Sequence, residues 1–81
     1  MNDPDINFFG TFDIYLASVL ITVGFSVDSL DTTNYRKVEF LFRRIEGLDD
    51  TIQRYWAKEL LLEPQALFAN QKFLKNRIYS T

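Results

Sequence analysis

The sequence contains no cysteine and no histidine among its 81 residues. Without cysteine the chain can form neither a disulfide nor a thiolate metal site, and without histidine it lacks the commonest general base and metal ligand. Glycine is scarce as well. The three glycines are isolated in the sequence, so they form no P-loop, Rossmann fingerprint or nucleophile elbow. Catalysis would have to depend on carboxylates, tyrosine or lysine. We therefore expect a protein that is not an enzyme and that uses no cofactor and no metal ion.

Long hydrophobic runs and an export signal are also missing. The most apolar window, residues 14–25, is about twelve residues long and includes Ser18 and Thr22, whereas a membrane-spanning helix needs about 20 residues. Residues 1–5 are acidic, and no basic region precedes the apolar stretch, so a secretory signal does not fit. We expect no membrane association and a cytoplasmic location, in the host cell if the protein is viral. The absence of cysteine agrees with a reducing compartment.

What the chain does contain is typical of a folded domain. Its residues are 47% hydrophobic and 16% aromatic, against 25% charged, which argues against intrinsic disorder. The length predicts one domain over residues 1–81, with a loose start at 1–5. A domain of this size buries only about 60% of the surface of its unfolded chain. Large aromatic side chains or self-association can compensate for so small a core.

Charge is divided unevenly along the chain. Residues 1–34 carry five aspartates and no basic residue, a net charge of −5, whereas residues 35–81 carry nine basic and six acidic residues, a net charge of +3. Near the C-terminus Lys72, Lys75 and Arg77 have no acidic neighbour in sequence, which predicts a cationic patch. The alternative is that these cations complement the dipole at the end of a helix.

A first helix is predicted over residues 12–23. Thr11 can cap it, Asp13 lies favourably in its first turn or caps it, and Gly24 follows its last residue, where glycine commonly ends a helix. We expect this helix to be mostly buried. Its apolar face repeats at three- and four-residue spacing: Phe12, Leu16, Val19, Leu20 and Val23.

A β-hairpin is predicted next. The hydrophobic period becomes two over residues 25–30 and again over 37–43, and the turn-forming sequence 31–34 separates these strands. The second strand places one face on a core, because its apolar residues alternate with mostly charged ones. These apolar residues are Val38, Phe40 and Phe42. Residues 6–9 could add a short edge strand.

Two further helices complete the predicted fold. Gly47 closes the second strand, and Asp49 or Asp50 can cap a helix over residues 50–60. Residues 61–63 are predicted to be extended, and Pro64 fits the first turn of a third helix over residues 64–78. Along one face of the second helix lie Ile52, Tyr55, Trp56 and Leu60. The inner row of the third consists of Leu67, Gln71, Leu74 and Ile78, flanked by Phe68 and Phe73. The fold class is therefore α+β, with a small antiparallel sheet covered on one face by three helices.

The order and spacing of several motifs carry a family resemblance over nearly the whole chain. They are Thr11-Phe12-Asp13, Leu16-Ala17 with Leu20, Gly24-Phe25, the strand 38–42, Tyr55-Trp56, and the ending Phe73-Leu74-Lys75-Asn76-Arg77-Ile78-Tyr79. In these residues the chain resembles a short bacterial and phage-associated domain family of unknown function. The resemblance implies a compact domain, often encoded on phages or mobile elements. It implies no catalytic residue, cofactor or ligand.

Tyr55 and Trp56 stand beside Arg54 and Lys58, and this group is the first candidate binding site. Aromatic faces next to cations can stack a nucleotide base and hold its phosphate. Core packing is the alternative explanation. Adjacent positions of a helix differ in direction by about 100°, so Tyr55 and Trp56 cannot both point at the core. One of them should lie at a boundary or an interface.

Basic residues flank the second strand and form the second candidate site: Arg36, Lys37, Arg43 and Arg44. Lys37 and Arg43 share the face opposite the apolar residues, where they could contact nucleic acid. Against this, Glu39 lies in the middle of that face and the sequence pI is about 4.9, far below the value typical of nucleic-acid-binding domains. Cations on an open strand also discourage edge pairing.

Three functions remain open from the sequence. The leading hypothesis is a non-enzymatic interaction module from a phage, virus or mobile element, acting by protein contact and assembling with itself, because the short chain is rich in aromatics and its charge is divided. The second is a nucleic-acid-binding accessory or regulator that uses the basic strand and the patch at 72–77. The third is a small oligomer that sequesters a nucleotide between Tyr55 or Trp56 and nearby arginines.

Overall fold

Three strands and three helices make up the part of the protein that the structure describes. The structure, a computed structural model, describes residues 7–34 and 36–79. The elements in chain order are β1 (Phe8–Thr11), α1 (Ile14–Val23), β2 (Val27–Asp31), β3 (Glu39–Arg43), α2 (Leu48–Trp56) and α3 (Pro64–Tyr79). This is the small α+β fold that the sequence predicts. The loose start predicted at 1–5 lies outside the described residues.

The sheet is antiparallel and has β3 at its centre. Its strand order is β1-β3-β2, so the predicted hairpin is confirmed as β2 and β3, and the predicted edge strand is confirmed as β1. The predicted bounds of β1, 6–9, were wrong at their C-terminal end, because pairing with β3 continues until Thr11 lies opposite Phe40. Ile6 lies outside the described residues.

A β-bulge in β2 changes which of its residues face the core. The register shifts between Val27 and Ser29, so Val27 lies opposite Phe42 while Leu30 lies opposite Phe40. Val27 and Leu30 therefore share the core side of the sheet, and both pack against the core. The predicted alternation placed them on opposite faces and was wrong, since it took no account of the extra residue that a bulge inserts.

The core lies on one face of the sheet, and all three helices contribute to it. Phe40 and Phe42 of β3 are at most 1% exposed. The other members of the buried cluster are Leu16, Ala17, Leu20, Leu48 and Leu74. Leu74 is the one buried residue of α3, which packs mainly on α1. A hydrogen bond from Asn70 Nδ2 to Thr22 Oγ1, at 2.9 Å, also joins these two helices.

The start of α1 differs from the prediction. Asp13, not Thr11, is the N-cap, and its Oδ1 accepts a hydrogen bond of 2.9 Å from the amide of Tyr15. Thr11 is still paired within β1, so it cannot be the cap, but its hydroxyl accepts from the amide of Asp13. Phe12, predicted on the buried helix face, precedes the helix and is 54% exposed. The predicted end is confirmed, since Gly24 follows the helix at φ +133°.

The start of α2 was also predicted wrongly. Gly47 does not close a strand; it is the N-cap of α2 and lies in the left-handed region at φ +92°. The helix begins at Leu48, whose side chain is fully buried, and Asp49 and Asp50 lie in its first turn rather than capping it. Carboxylates in a first turn still complement the helix dipole.

The end of α2 comes four residues earlier than predicted. The last helical residue is Trp56, and Lys58 adopts a left-handed conformation at φ +62°. The Lys58 amide donates to the Tyr55 carbonyl and the Glu59 amide donates to the Arg54 carbonyl, which is the hydrogen-bond pattern of a Schellman motif. Leu60, predicted to share a face of α2 with Ile52 and Tyr55, therefore lies outside the helix.

The third helix agrees with its prediction to within one residue. The Glu63 carboxylate accepts hydrogen bonds from the amides of Gln65 and Ala66, at 3.1 and 2.8 Å, and so caps a helix that begins at Pro64. The inner row is confirmed, because Leu74 is buried and its companions Leu67, Gln71 and Ile78 are half-buried.

Candidate functional site

An apolar groove lies between α1, the end of α2, the segment 59–63 and α3. Two adjoining cavities form it, and they share Val19, Tyr55 and Leu67. The loop-side cavity has a volume of about 410 Å³ and is completed by Lys58, Leu60, Leu61 and Leu62. The helix-side cavity has a volume of about 230 Å³ and is completed by Tyr15, Ser18, Phe68 and Gln71. Most of these side chains are aliphatic or aromatic, so the groove suits an apolar occupant.

Large apolar side chains stand exposed in or beside the groove. Leu61 is 97% exposed, Trp56 and Phe68 are each 63% exposed, and Tyr15 is 62% exposed. Tyr15, Leu61 and Phe68 line the groove, and Trp56 packs against Tyr55, which lines both cavities. An exposed apolar cluster of this kind is typical of an interaction surface.

The segment 59–63 holds Leu61 outward. The Schellman motif at Lys58 stops α2, and Glu63 with Pro64 starts α3, so the three leucines between them lie in non-helical chain. Leu60 and Leu62 are half-buried, whereas Leu61 between them is almost fully exposed. Alternation along an extended segment explains this arrangement, since successive side chains point to opposite sides.

Tyr55 forms the floor of both cavities, and Trp56 lies beside it. Their rings meet edge to face, with centroids 4.9 Å apart and planes inclined at 72°. Tyr55 is half-buried against the core, so Trp56 is the outward member of the pair. Burial, with the nearby charge of Asp13, raises the pKa of the Tyr55 hydroxyl above its usual value of 10.0. The hydroxyl is therefore neutral at physiological pH and adds no charge to the groove.

Two charges of opposite sign stand near the groove. Lys58 lines the loop-side cavity. Asp13 lines neither cavity, but its carboxylate accepts a hydrogen bond from the amide of Tyr15 and its charge acts on Tyr55, which lines both. Within residues 7–34 and 36–79, neither Lys58 nor Asp13 takes part in a salt bridge. Lys58 thus keeps its charge unpaired within the described residues, whereas the Asp13 carboxylate is engaged in capping α1.

The basic residues predicted along β3 lie at its two ends. Lys37 and Arg43 are six residues apart in extended chain, a separation of roughly 20 Å. The Lys37 ammonium lies 4.9 Å from the centroid of the Phe12 ring, and the Arg43 guanidinium lies 5.1 Å from that of Phe8. Arg43 also forms a salt bridge with Asp28 at 3.4 Å.

Arg36 and Arg44, the other two cations of this predicted site, also lie at opposite ends of β3. Arg44 faces Asp49 at 4.0 Å, whereas Arg36 lies in the loop before β3, where its amide donates to Asn34 Oδ1. The four cations predicted as one site therefore form two groups at opposite ends of a strand.

The remaining predicted cations are exposed and dispersed. Lys72 and Lys75 lie three residues apart on one side of α3. Arg77 is turned about 140° from Lys72 around the helix, and its guanidinium lies 6.0 Å from the centroid of the Phe73 ring. Arg54 is on the exposed side of α2. The cationic patch predicted for the C-terminal part thus covers more than one face of α3.

The described part of the chain holds no group of three or more acidic residues placed to share a metal ion. Asp31 accepts a hydrogen bond from the Thr33 amide at 2.9 Å, and hydrogen bonds with Thr33 lower the pKa of its carboxyl. Among the described helices, none has the length and apolar character needed to cross a bilayer.

Sequence reasoning identified Tyr55 and Trp56 but missed Leu61, Phe68 and Tyr15 as members of an exposed site. One signal was present. Three consecutive leucines directly before Glu63-Pro64 lie outside the helix that is predicted to begin at Pro64, and an extended run cannot bury all three on one side. No comparable signal marks Tyr15 or Phe68, because their exposure depends on how α1 and α3 pack.

Comparison with known proteins adds a family. A family model described as Domain of unknown function (DUF5659) matches residues 6–80, all but the first five residues and the last. No curated protein matches the chain, and no solved structure does. Function therefore has to be inferred from the groove and from the side chains around it.

Proposed function

We propose that this chain, which belongs to the family of the domain of unknown function DUF5659, is a non-enzymatic interaction module that assembles with copies of itself through the groove. One observation carries the proposal. Three side chains that are more than half exposed, Tyr15, Leu61 and Phe68, line the groove, and the exposed Trp56 packs edge to face on Tyr55, which lines both of its cavities. Leaving such a cluster in water is unfavourable, and covering it would stabilise an assembly.

The chemistry of the groove favours a protein occupant over a small polar ligand. Among the described residues that line it, Lys58 is the one cation, and the other polar side chains are Tyr15, Ser18, Tyr55 and Gln71. A nucleotide requires several donors for its phosphates, which this lining does not offer. Exposed tyrosine, tryptophan and phenylalanine are instead the residue types enriched at the centres of protein interfaces.

Self-assembly is favoured because the same surface has both projecting apolar side chains and cavities. Its leucine and aromatic side chains project, and its cavities can receive side chains of that kind. A twofold interface uses the same patch on both subunits and therefore requires such self-complementarity. The small core of an 81-residue domain gives a further reason, since assembly buries apolar surface that the fold leaves in water.

Binding of nucleic acid has less support from the structure. It would require the basic residues to follow one face, yet those of β3 form two groups and those of α3 are dispersed. Arg43 and Arg44 are also partly neutralised by aspartates. This function keeps a clear test, because phosphate contacts make binding strongly dependent on salt.

Two exposed phenylalanines on α3 provide a matched test. Light scattering of the native chain from micromolar to millimolar concentration should show a rise from monomer to dimer mass. Phe68→Ser should abolish that rise, because Phe68 lines the helix-side cavity. Phe73→Ser is the control, since Phe73 is exposed to a similar extent on the same helix but lines neither cavity. A strict monomer at millimolar concentration would refute self-assembly.

The same samples distinguish the alternatives. A shift of DNA or RNA at low salt that disappears at high salt would favour the nucleic-acid function. Stabilisation by one member of a nucleotide panel in a thermal-shift assay would favour nucleotide sequestration. Within our proposal the module belongs to a phage, virus or mobile element and acts in the host-cell cytoplasm, as the resemblance in its motifs implies.

A further inference from the structure

We infer that two copies of the chain also pair through the open edge of β1, antiparallel to each other, so that their sheets join into one. This contact goes beyond the proposed groove assembly, because no residue of β1 lines either cavity of the groove. In the strand order β1-β3-β2, β1 pairs with β3 on one side, and no described strand lies on its other side. An edge strand presents unpaired backbone groups that can accept a further strand.

The two edges of the sheet differ in how well they are protected. β2 has a β-bulge between Val27 and Ser29, and it carries the charged residues Asp28 and Asp31. Bulges and charges are common devices that keep an edge strand from pairing further. The four residues of β1 include no charge and no proline, and their register with β3 is regular. Among the described strands, β1 therefore has the edge that is open to pairing.

Hydrogen bonding to β3 determines which backbone groups of β1 point outward. The Arg44 amide donates to the Asn7 carbonyl at 2.8 Å, so Asn7 and every second residue after it face β3. The residues between them, Phe8 and Gly10, direct their amides and carbonyls to the open edge. A second β1 can thus form four hydrogen bonds if Phe8 of each copy lies opposite Gly10 of the other.

Two charged side chains of β3 lie against β1 on the side of the sheet that faces away from the core. The Glu39 carboxylate lies so close over Gly10 that a Cβ at this position would collide with it. The Arg43 guanidinium lies 5.1 Å from the centroid of the Phe8 ring. Within the described residues Glu39 forms no salt bridge, and Arg43 uses only its Nη2 to bind Asp28. A negative charge therefore accompanies Gly10, and a positive charge accompanies Phe8.

These charges select one of three registers. Centred on β1, the outward hydrogen bonds can be formed with Phe8 opposite Phe8, with Gly10 opposite Gly10, or with Phe8 opposite Gly10. The first register brings the two copies of Arg43 together and the second brings the two copies of Glu39 together, and both are unfavourable. The third places opposite charges side by side, and it does so twice in the dimer. Its twofold axis passes beside Phe9, a half-buried residue that would meet its counterpart on the core side.

Cysteine pairing tests the geometry. In the third register Asn7 of one copy lies opposite Thr11 of the other, in a pair with Cα atoms about 4.5 Å apart, which suits a disulfide. The native chain has no cysteine, so Asn7→Cys mixed with Thr11→Cys reports this one contact. Each variant alone is a matched control, because its two cysteines lie at opposite ends of the strand pair. All variants also carry Phe68→Ser, which removes the groove contact.

We expect the disulfide of the mixed variants to form severalfold faster under mild oxidation than that of either variant alone. Pairing over so short a length is weak. Covalent capture therefore detects it even in samples whose mass in light scattering stays that of the monomer.

Charge reversal tests the register. An exposed ion pair changes an equilibrium constant by up to about fivefold, and the dimer has two, so Glu39→Lys in both cysteine variants should slow the mixed disulfide about tenfold. Glu39→Lys in one chain with Arg43→Glu in the other restores opposite charges at both contacts, and it should restore the rate. A role confined to the fold of one chain would not be rescued by a change in the other. Circular dichroism checks that each variant is folded.

The outcomes distinguish this inference from the proposed function. Equal rates for the mixed and the single cysteine variants would refute pairing through β1, and they would leave the groove assembly to its own test with Phe68→Ser and Phe73→Ser. A fast mixed disulfide that charge reversal does not slow, or that the exchanged charges do not restore, would refute the register. A mixed disulfide that forms fast, slows on reversal and recovers on exchange would support the contact, with or without a groove dimer.

Discussion

Truncation of Leu74 should loosen α3 from the rest of the domain. Leu74 is the one fully buried residue that α3 contributes within the described chain, and α3 packs mainly against α1. A Leu→Ala change in a core costs about 2–5 kcal/mol, because it removes buried methyl groups and leaves a cavity. At about 0.05–0.15 kcal/mol per residue, a domain of this length has a total stability of about 4–12 kcal/mol. Leu74→Ala should therefore remove a large share of the free energy of unfolding.

Urea denaturation followed by circular dichroism provides the measurement. With a slope near the lower end of the usual range, about 1 kcal/mol per molar urea, the midpoint should fall by about 2 M or more. Hydrogen exchange should show where the loss is concentrated. We expect amides of α3 to lose protection before those of β3, because Phe40 and Phe42 keep their contacts with α1.

The neighbouring residue supplies the control for this experiment. Phe73→Ala truncates a side chain that is 51% exposed and should cost less than about 1 kcal/mol. Equal losses for the two variants would contradict our account of how α3 is held. So would a Leu74→Ala protein whose α3 amides remain as protected as those of the native chain.

Three further predictions concern single contacts and conformations. Gly24→Ala should cost about 1–3 kcal/mol in chemical denaturation through its backbone alone, since φ is +133° and nothing lies within 4 Å of the added Cβ; D-alanine at this position should restore stability. Neutral Tyr55 should contribute stability below pH 10.0 that is lost as the pH rises through its raised pKa, and ultraviolet titration should show Asp13→Asn moving that pKa back toward 10.0. A double-mutant cycle of Thr22→Val and Asn70→Ala should give a coupling of about 0.5–1.5 kcal/mol; no coupling would mean that this interhelical bond contributes nothing.

Regular periodicity made much of the fold predictable. The spacing of Leu16 and Leu20 identified the buried side of α1, and the alternation of Phe40 with Phe42 identified the core side of β3. The row that includes Leu74 similarly identified the inner side of α3. In each case the spacing of the apolar residues shows which side of a single helix or strand faces the core, and this is what hydrophobic periodicity can predict.

Departures from local preference were not predictable in the same way. Gly47 caps α2 from a left-handed conformation without a side-chain hydrogen bond, although the nearby Asp49 and Asp50 are better caps by residue type. Lys58 ends α2 in a left-handed conformation that is uncommon for any residue with a Cβ. Packing decides the position of Gly47, because the helix must begin where Leu48 can enter the core.

The candidate site was predictable only in part for a related reason. Tyr55 and Trp56 are adjacent on one helix, so the helical angle alone shows that one of them must be outside the core. Leu61 and Phe68 belong to the site because of where α3 docks on α1. That docking involves residues almost 50 positions apart, such as Thr22 and Asn70, and no local pattern specifies it.

The early end of α2 connects the local sequence to the proposed assembly. If the helix continued to residue 60, as its apolar spacing predicts, residues 57–60 would be helical. The three leucines could then not alternate between half-buried and exposed positions as they do. The left-handed turn at Lys58 instead releases residues 59–63, which both line the loop-side cavity and hold Leu61 outward. A strained residue persists only where the surrounding structure determines it. Here the same turn contributes Lys58 to the wall of the groove and leads into the segment that holds Leu61 outward, on the surface that we propose for assembly.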